Sequence, residues 1–129
     1  MTPRLFAATA SILLVASLEA APPASVYYPE LRVACQKIAR MSMGPAGVTR
    51  AQANLLADTY FQIYLGQCGG AEPVQQMKGY WSAPVVVGYA GVRDGALRID
   101  RLTGAVSYRD RPTLYPKDFP RAFSREYSH

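Results

Sequence analysis

Two segments in the first half of the chain carry apolar residues at helical spacing. Over residues 29 to about 43, apolar side chains recur every three or four positions among basic and amide side chains, which predicts an amphipathic helix opening on Pro29. Thr49 and Gln52 have the spacing of a capping box, so we expect a second helix to begin there and to end at Gly69 and Gly70. The core-facing positions would be Leu31, Ala34 or Cys35, Ile38, Met41, Leu56, Tyr60, Tyr64 and Cys68.

The hydrophobic period changes to two beyond residue 80. Three short segments, which are rich in valine or alternate between apolar and polar side chains, predict antiparallel strands. They cover residues 84–92, 97–100 and 105–109. Asp94 and Gly95 form the strongest short hairpin signal, and we expect them to make the first turn. Residues 101–104 end in glycine and would make the second turn.

These turns fix how the strands pair and therefore which side chains share a face. Val92 would pair with Leu97, and Ile99 with Val106. One face would then be apolar and cover the core, with Val86, Ala90, Val92, Leu97, Ile99, Val106 and Tyr108. The other face would be polar and basic, with Tyr89, Arg93, Arg98, Asp100, Ser107 and Arg109.

Residues 110–129 carry prolines at intervals of four among aromatic residues, and we interpret them as an irregular tail packed by its aromatic side chains. Trp81, the only tryptophan, is expected in the core. The predicted fold class is α+β, with two N-terminal helices packed on one face of a three-stranded antiparallel meander.

The N-terminus has the layout of a secretory signal peptide. Arg4 precedes an uncharged apolar run over residues 5–18, and Glu19 and two small residues follow. The run is too short to span a bilayer comfortably, although an N-terminal anchor or a buried first helix is an alternative. We therefore expect removal of residues 1–20, with residues 21–129 forming one α+β domain in the periplasm or outside the cell. No second apolar stretch of that length follows, so stable membrane insertion after cleavage is not expected.

Cys35 and Cys68 would both remain after cleavage. In an oxidising compartment two cysteines predict one disulfide, which would link the two helices. Closing that loop of about 34 residues would add about 3.5 to 4 kcal/mol of stability and would keep the facing helix ends apart. A reactive or metal-binding pair is the alternative, but His129 alone cannot complete a four-ligand zinc site, so no metal and no cofactor is expected.

The chain has 14 basic and 9 acidic residues, a net charge of +5 that is spread along its length. Charged residues make up only 18% of the chain and half of it is hydrophobic, which excludes a disordered polyelectrolyte. Without a concentrated basic patch we do not expect a nucleic-acid partner. The charge favours an acidic protein surface or an anionic envelope polymer as partner.

Catalytic chemistry is not apparent in the sequence. His129 is the only histidine, which argues against a Ser-His or Cys-His couple, so no catalytic residue is assigned. A small envelope hydrolase with two carboxylates stays an alternative, because such pairs are spatial and not sequential. A sensor or carrier with an apolar ligand near Trp81, Tyr60 and Tyr64 is another.

The polar face of the predicted meander is the candidate binding site, because tyrosine and arginine are frequent interface anchors. Its residues are Tyr89, Arg93, Arg98, Asp100 and Arg109. A merely solvated face is the alternative.

Residues 80–108 have a tryptophan opening a strand, a hairpin, and then an Asp-x-x-Thr-Gly-x-Val turn that begins at Asp100. This pattern resembles the sheet end of small exported domains such as PepSY-type modules and the nuclear-transport-factor-two-like immunity proteins. In those immunity proteins a helix similar to residues 51–66 precedes the sheet. The resemblance implies a binding protein that neutralises a toxin or inhibits an enzyme of the cell envelope.

Overall fold

The computed structural model describes residues 28–66 and 68–127, so the predicted signal peptide, residues 21–27, Gln67 and His129 lie outside the described residues. The fold class is α+β, as predicted. In chain order the elements are α1 (Pro29–Ala39), α2 (Arg50–Tyr64), β1 (Gly69–Ala71), β2 (Gln75–Gln76), β3 (Tyr80–Val87), β4 (Val92–Asp100), β5 (Val106–Ser107), a 3-10 turn (Pro116–Asp118) and α3 (Phe119–Tyr127).

Both predicted helices begin where their sequence signals place them. Pro29 occupies the first turn of α1, where its missing N–H costs nothing. At α2, the Gln52 N–H donates to Thr49 Oγ1 at 3.2 Å and the Thr49 N–H donates to Gln52 Oε1 at 2.9 Å, which confirms the capping box. Both helices end earlier than predicted, α1 at Ala39 and α2 at Tyr64.

Within residues 28–66 and 68–127 the sheet has five strands, and three were predicted. Strands β1, β3, β4 and β5 follow one another across the sheet, and β2 also pairs with β3. Every pairing is antiparallel. Gly69 and Gly70, expected to end a helix, lie in β1 opposite Val87 and Val86. The sequence missed β1 and β2 because two- and three-residue strands are too short to show a period.

The first hairpin turn was predicted at the wrong place. The chain turns at residues 88–91, where Gly88 has φ +74° and Gly91 φ +69°. Asp94 and Gly95 instead lie inside β4 and together oppose Val85, because Gly95 takes φ +77° and forms a bulge. An Asp-Gly pair suits either role, since both need a residue at positive φ.

The shifted turn changes which residues face the core. Trp81 pairs with Ile99 and Ala83 with Leu97, and all four are buried. The expected pair of Ile99 with Val106 is confirmed. Tyr108 is buried as predicted, but Ala90 and Val92 are exposed and Val86 is only half-buried.

The C-terminal segment is helical, so the predicted irregular tail is wrong. Pro116 opens the 3-10 turn, and Pro120 lies in the first turn of α3, where a helix tolerates proline. Phe119 and Phe123 are buried, in agreement with the expected aromatic packing.

The helices form two layers above the sheet. Helix α2 contacts β1, β3, β4 and β5, whereas α1 and α3 contact each other and α2. The expectation that both N-terminal helices lie directly on the sheet is therefore true of α2 only. Trp81 is in the core as predicted, and its indole N–H donates to the Val48 carbonyl at 3.0 Å. In the described part of the chain, no helix is long and apolar enough to cross a membrane.

The predicted disulfide between Cys35 and Cys68 is wrong. Both are free thiols and they do not lie near each other. Cys35 faces the helical core from α1, where burial raises the pKa of its thiol to about 11. Cys68 lies beyond the end of α2, next to β1, and its carbonyl accepts the Gly88 N–H at 3.1 Å. The early end of α2 carries Cys68 away from α1, so no covalent link constrains the two helices.

Candidate interaction surface

The side of the sheet that faces away from α2 presents a continuous row of side chains. Along β3, Trp81, Ala83 and Val85 are buried and the alternate residues point outward. We call this side the outer sheet face; its residues are Tyr80, Ser82, Pro84, Val86, Arg93, Ala96, Arg98 and Ser107. All of them are exposed or half-buried.

Arg98 is one of the two cations of the outer sheet face. It lies opposite Ser82 on β3 and Ser107 on β5. Its guanidinium Cζ stands 3.8 Å from the centroid of the Tyr80 ring, within the range of a cation–π contact. The pair therefore presents a planar cation supported by an aromatic ring. Sequence reasoning missed Tyr80, although alternation with the core residue Trp81 would have found it.

Asp100 is the last residue of β4, where it lies opposite Tyr80, and its carboxylate closes the following turn. Its Oδ1 accepts the N–H groups of Leu102 and Thr103, both at 2.9 Å. The Thr103 N–H, with smaller contributions from Leu102 and the charge of Arg98, holds the pKa of Asp100 below its ordinary value. The carboxylate thus stays ionised and closes the turn between β4 and β5.

Arg93 lies on the outer sheet face near the β3–β4 turn, opposite Val86. Its Nη2 is 3.0 Å from Oε1 of Glu72, and both side chains are exposed. Such a pair contributes about 0 to 1 kcal/mol to stability, so Arg93 is not committed to the fold.

Arg109 lies off the outer sheet face, over the bulge. It adopts φ +46°, the only non-glycine residue with positive φ in the described part of the chain. Its Nη2 is 2.7 Å from Oδ1 of Asp94, and the neighbouring Tyr108 hydroxyl donates to the Asp94 carbonyl. Arg109 and Asp94 therefore cover the irregular stretch of β4.

Tyr89 is at the tip of the β3–β4 hairpin and not on a strand. The tip comprises residues 88–91, and Tyr89 is its only large side chain. Tyr89 is 98% exposed, and Val92, where β4 begins, is 58% exposed. The Gly91 N–H donates to the Gly88 carbonyl at 3.2 Å, which closes the turn and holds Tyr89 outward.

The five predicted site residues thus occupy three places. Arg98 and Asp100 are at one end of the sheet, Arg93 and Tyr89 are at the hairpin end, and Arg109 is over the bulge. Arg93 and Arg98 are five positions apart on β4, or about 15 Å. The surface that joins them is extended and shallow.

The alternative ligand site near Trp81, Tyr60 and Tyr64 is occupied by the protein itself. Tyr60 and Trp81 are buried core residues, and the Tyr60 hydroxyl donates to the Pro112 carbonyl at 2.6 Å. The Tyr64 ring packs on Tyr60 with 4.9 Å between centroids. A ligand at that position would have to displace packed aromatic rings.

No protein-family model matches this chain, and no similar curated protein or solved structure was found. The resemblance to exported PepSY-type and immunity domains therefore stays a prediction. Among residues 28–66 and 68–127, no three His, Cys, Asp or Glu side chains are grouped as a metal site would need. The expectations of no catalytic residue and no cofactor also stay predictions.

Proposed function

We propose that the chain is an exported binding protein that neutralises a toxin or inhibits an envelope enzyme by engaging an acidic surface on it. The observation that carries the proposal is Tyr89, an aromatic residue 98% exposed at the tip of a glycine-closed hairpin. A ring in that position stabilises no part of the core, whereas a partner's cleft would bury it. Tyrosine is suited to this role because it offers a large contact area at a low entropic cost.

The two arginines of the outer sheet face support the choice of an acidic partner. Among the described residues Arg98 forms no ion pair, and Arg93 has only an exposed one. Both guanidiniums can therefore pair with partner carboxylates without loss of a buried contact. Complementary charge of this kind raises the association rate and excludes wrong partners.

The test is capture followed by quantitative binding. The protein would be immobilised and exposed to envelope extract of its own host, and the captured protein would be purified for titration. Against that purified partner, Tyr89→Ala and Arg98→Ala should each weaken binding by about 1 to 3 kcal/mol, or about 5- to 150-fold in Kd. Their melting temperatures should stay close to the parent's, because neither side chain is buried.

Arg125→Ala is the matched control, since Arg125 is an exposed cation on α3, away from the sheet. It should leave Kd unchanged. The proposal is wrong if Tyr89→Ala and Arg98→Ala bind the purified partner as tightly as the parent does. It is also wrong if the double variant captures the same proteins as the parent in equal amounts.

A further inference from the structure

A groove of about 580 Å³ runs between the outer surfaces of α1 and the first turns of α2. Its floor is apolar and formed by Val33, Met41, Ala51 and Leu55. Val33 is 54% exposed although it lies in the middle of a helix. Met41 and Leu55 rest on the hydrophobic core below, so the floor is continuous with well-packed structure.

The far end of the groove is fixed by hydrogen bonds. Gln52 lines it, and its Nε2 donates to the Ser42 carbonyl at 2.8 Å while its Oε1 accepts the Thr49 N–H. One side chain thus ties the start of α2 to the connector that leaves α1. The groove therefore has its shape before any ligand arrives.

The charged residues of the groove are both cations. Lys37 and Arg40 line it, and none of the eight lining residues is acidic. Lys37 lies in the last turn of α1 and Arg40 caps its C-terminus, so both cations stand at the same end of the groove. Neither forms an ion pair with any residue of the described segments. The C-terminus of α1 and the N-terminus of α2 meet here with opposite partial charges that offset each other, so the two side chains set the sign of the field.

The size of the groove fits a small molecule. Its volume falls within the range of about 300 to 1,000 Å³ that is typical of small-molecule sites. Eight residues line the groove. Each side of a standard protein interface contributes about 20 to 30 residues, so the groove is too small to be such an interface by itself. From Val33 to Ala39 the helical rise gives a length of about 9 Å, and Arg40 and Met41 extend the groove beyond the end of α1, which suits a medium-length alkyl chain.

We propose that this groove binds a medium-chain carboxylate of the fatty-acid type, with the alkyl chain on the apolar floor and the carboxylate between Lys37 and Arg40. The site lies on the helices, not on the sheet, and is independent of the proposed partner surface. An apolar floor with two cations on its wall that form no ion pair within residues 28–66 and 68–127 selects an anionic amphiphile over a neutral or cationic one.

The experiment is a calorimetric titration of the full chain, in the processed form that its host yields, with decanoate below its micelle concentration. Decyl glucoside and decyltrimethylammonium are the matched neutral and cationic probes. Decanoate should bind saturably at one molecule per chain, decyl glucoside about fivefold more weakly, and the cationic probe more weakly again. Equal affinity for decanoate and decyl glucoside, or no saturable binding of decanoate, overturns the proposal.

Variants locate the site. The double substitution Lys37→Gln with Arg40→Gln should lower decanoate affinity about fivefold and leave decyl glucoside affinity unchanged. Val33→Ser should weaken both, and Arg125→Gln should weaken neither. A double variant that binds decanoate like the parent contradicts the assignment.

The two proposals fail separately. Loss of decanoate binding with intact capture of the protein partner concerns the groove alone, and weakened capture in Tyr89→Ala concerns the outer sheet face alone. If decanoate does not bind and the Lys37/Arg40 double variant loses the captured protein, the groove is a protein-docking surface and the carboxylate proposal is wrong.

Discussion

Cys35 lies on the buried face of α1 with no accessible surface, and burial raises the pKa of its thiol to about 11. The reactive form of cysteine is the thiolate, and an ordinary thiol titrates about two pH units lower. At pH 8 the thiolate population of Cys35 is therefore about a hundredfold smaller than that of an unperturbed cysteine. The fold therefore shields the Cys35 thiol, whereas the Cys68 thiol is only half-buried.

We predict that a thiol reagent at pH 8 modifies the native protein at one rapid site, Cys68, and reaches Cys35 at least about a hundredfold more slowly. Mass spectrometry of quenched samples would measure both rates. Cys68→Ser should abolish the rapid phase, while Cys35→Ser should preserve it. Two thiols that react equally fast would contradict the burial of Cys35. A protein in which no thiol reacts until a reductant is added would contradict the assignment of both cysteines as free thiols.

Single residues also show why the candidate site was only partly predictable. The sequence identified Arg93, Arg98 and Tyr89 by residue type and by their place outside the core. It assigned Asp100 and Arg109 to the same group, but the fold uses the former to close a turn and the latter to cover a bulge. Residue type and sequence position indicate that a side chain is polar and exposed. Only the tertiary contacts show which neighbouring group it binds.

At the scale of elements, the bulge of β4 depends on one glycine. Gly95 has φ +77°, and a Cβ there would stand 3.1 Å from Nη2 of Arg109. Any L-residue pays about 1 to 2 kcal/mol for the left-handed conformation, and the nearby guanidinium would also have to move.

We therefore predict that Gly95→Ala lowers the free energy of unfolding by about 1 to 2 kcal/mol, as measured by urea denaturation. Gly70→Ala is the control, since Gly70 lies in the same sheet without a positive φ and a Cβ there meets nothing within 4 Å. Its effect should stay within about 0.5 kcal/mol. An equal cost at both glycines would mean that the bulge does not require a glycine.

The elements that the sequence predicted correctly are those set by signals a few residues long. The proline and the capping box fix the starts of α1 and α2, because each acts within a few residues of itself. The hairpin turn was predicted at the wrong place because an Asp-Gly pair fits both a turn and a bulge. The choice between them depends on how Trp81 and Ala83 of β3 align with β4. Strand register is thus a property of the assembled sheet.

At the scale of the whole molecule, α3 closes the helical layer over α1 and α2. Phe119 is the first residue of α3 and is fully buried. We predict that Phe119→Ala lowers the free energy of unfolding by about 3 to 5 kcal/mol, because it leaves a cavity that a small core cannot refill. Urea denaturation followed by far-UV circular dichroism would measure this loss.

Since so large a loss can unfold a small domain outright, Phe119→Leu is the milder companion, with an expected cost of about 1 kcal/mol. Tyr115→Ala removes a ring that is nearly half exposed and should cost less than either variant that truncates Phe119 to alanine or leucine. If Phe119→Ala unfolds at the same urea concentration as the parent, α3 does not hold the core.

Long-range pairings were the part of the fold that the sequence left open. The disulfide was inferred from compartment and cysteine count, which say nothing about distance, and the early end of α2 separates the two sulfur atoms. The tail was read from its prolines, yet two of them stand where a helical turn needs no N–H. Both errors arise because the deciding contacts join distant parts of the chain.

Strand β5 pairs with β4 only at Arg98 and Ile99, so in the described chain the hairpin half of β4 has no neighbour on that side. Such an open margin invites another polypeptide to add a strand. Here the Tyr108 hydroxyl already donates to the Asp94 carbonyl, which an added strand would need as an acceptor. The bulge at Gly95 also interrupts the regular backbone that strand pairing requires. This margin of the sheet is therefore a poor template for a strand from another copy of the molecule.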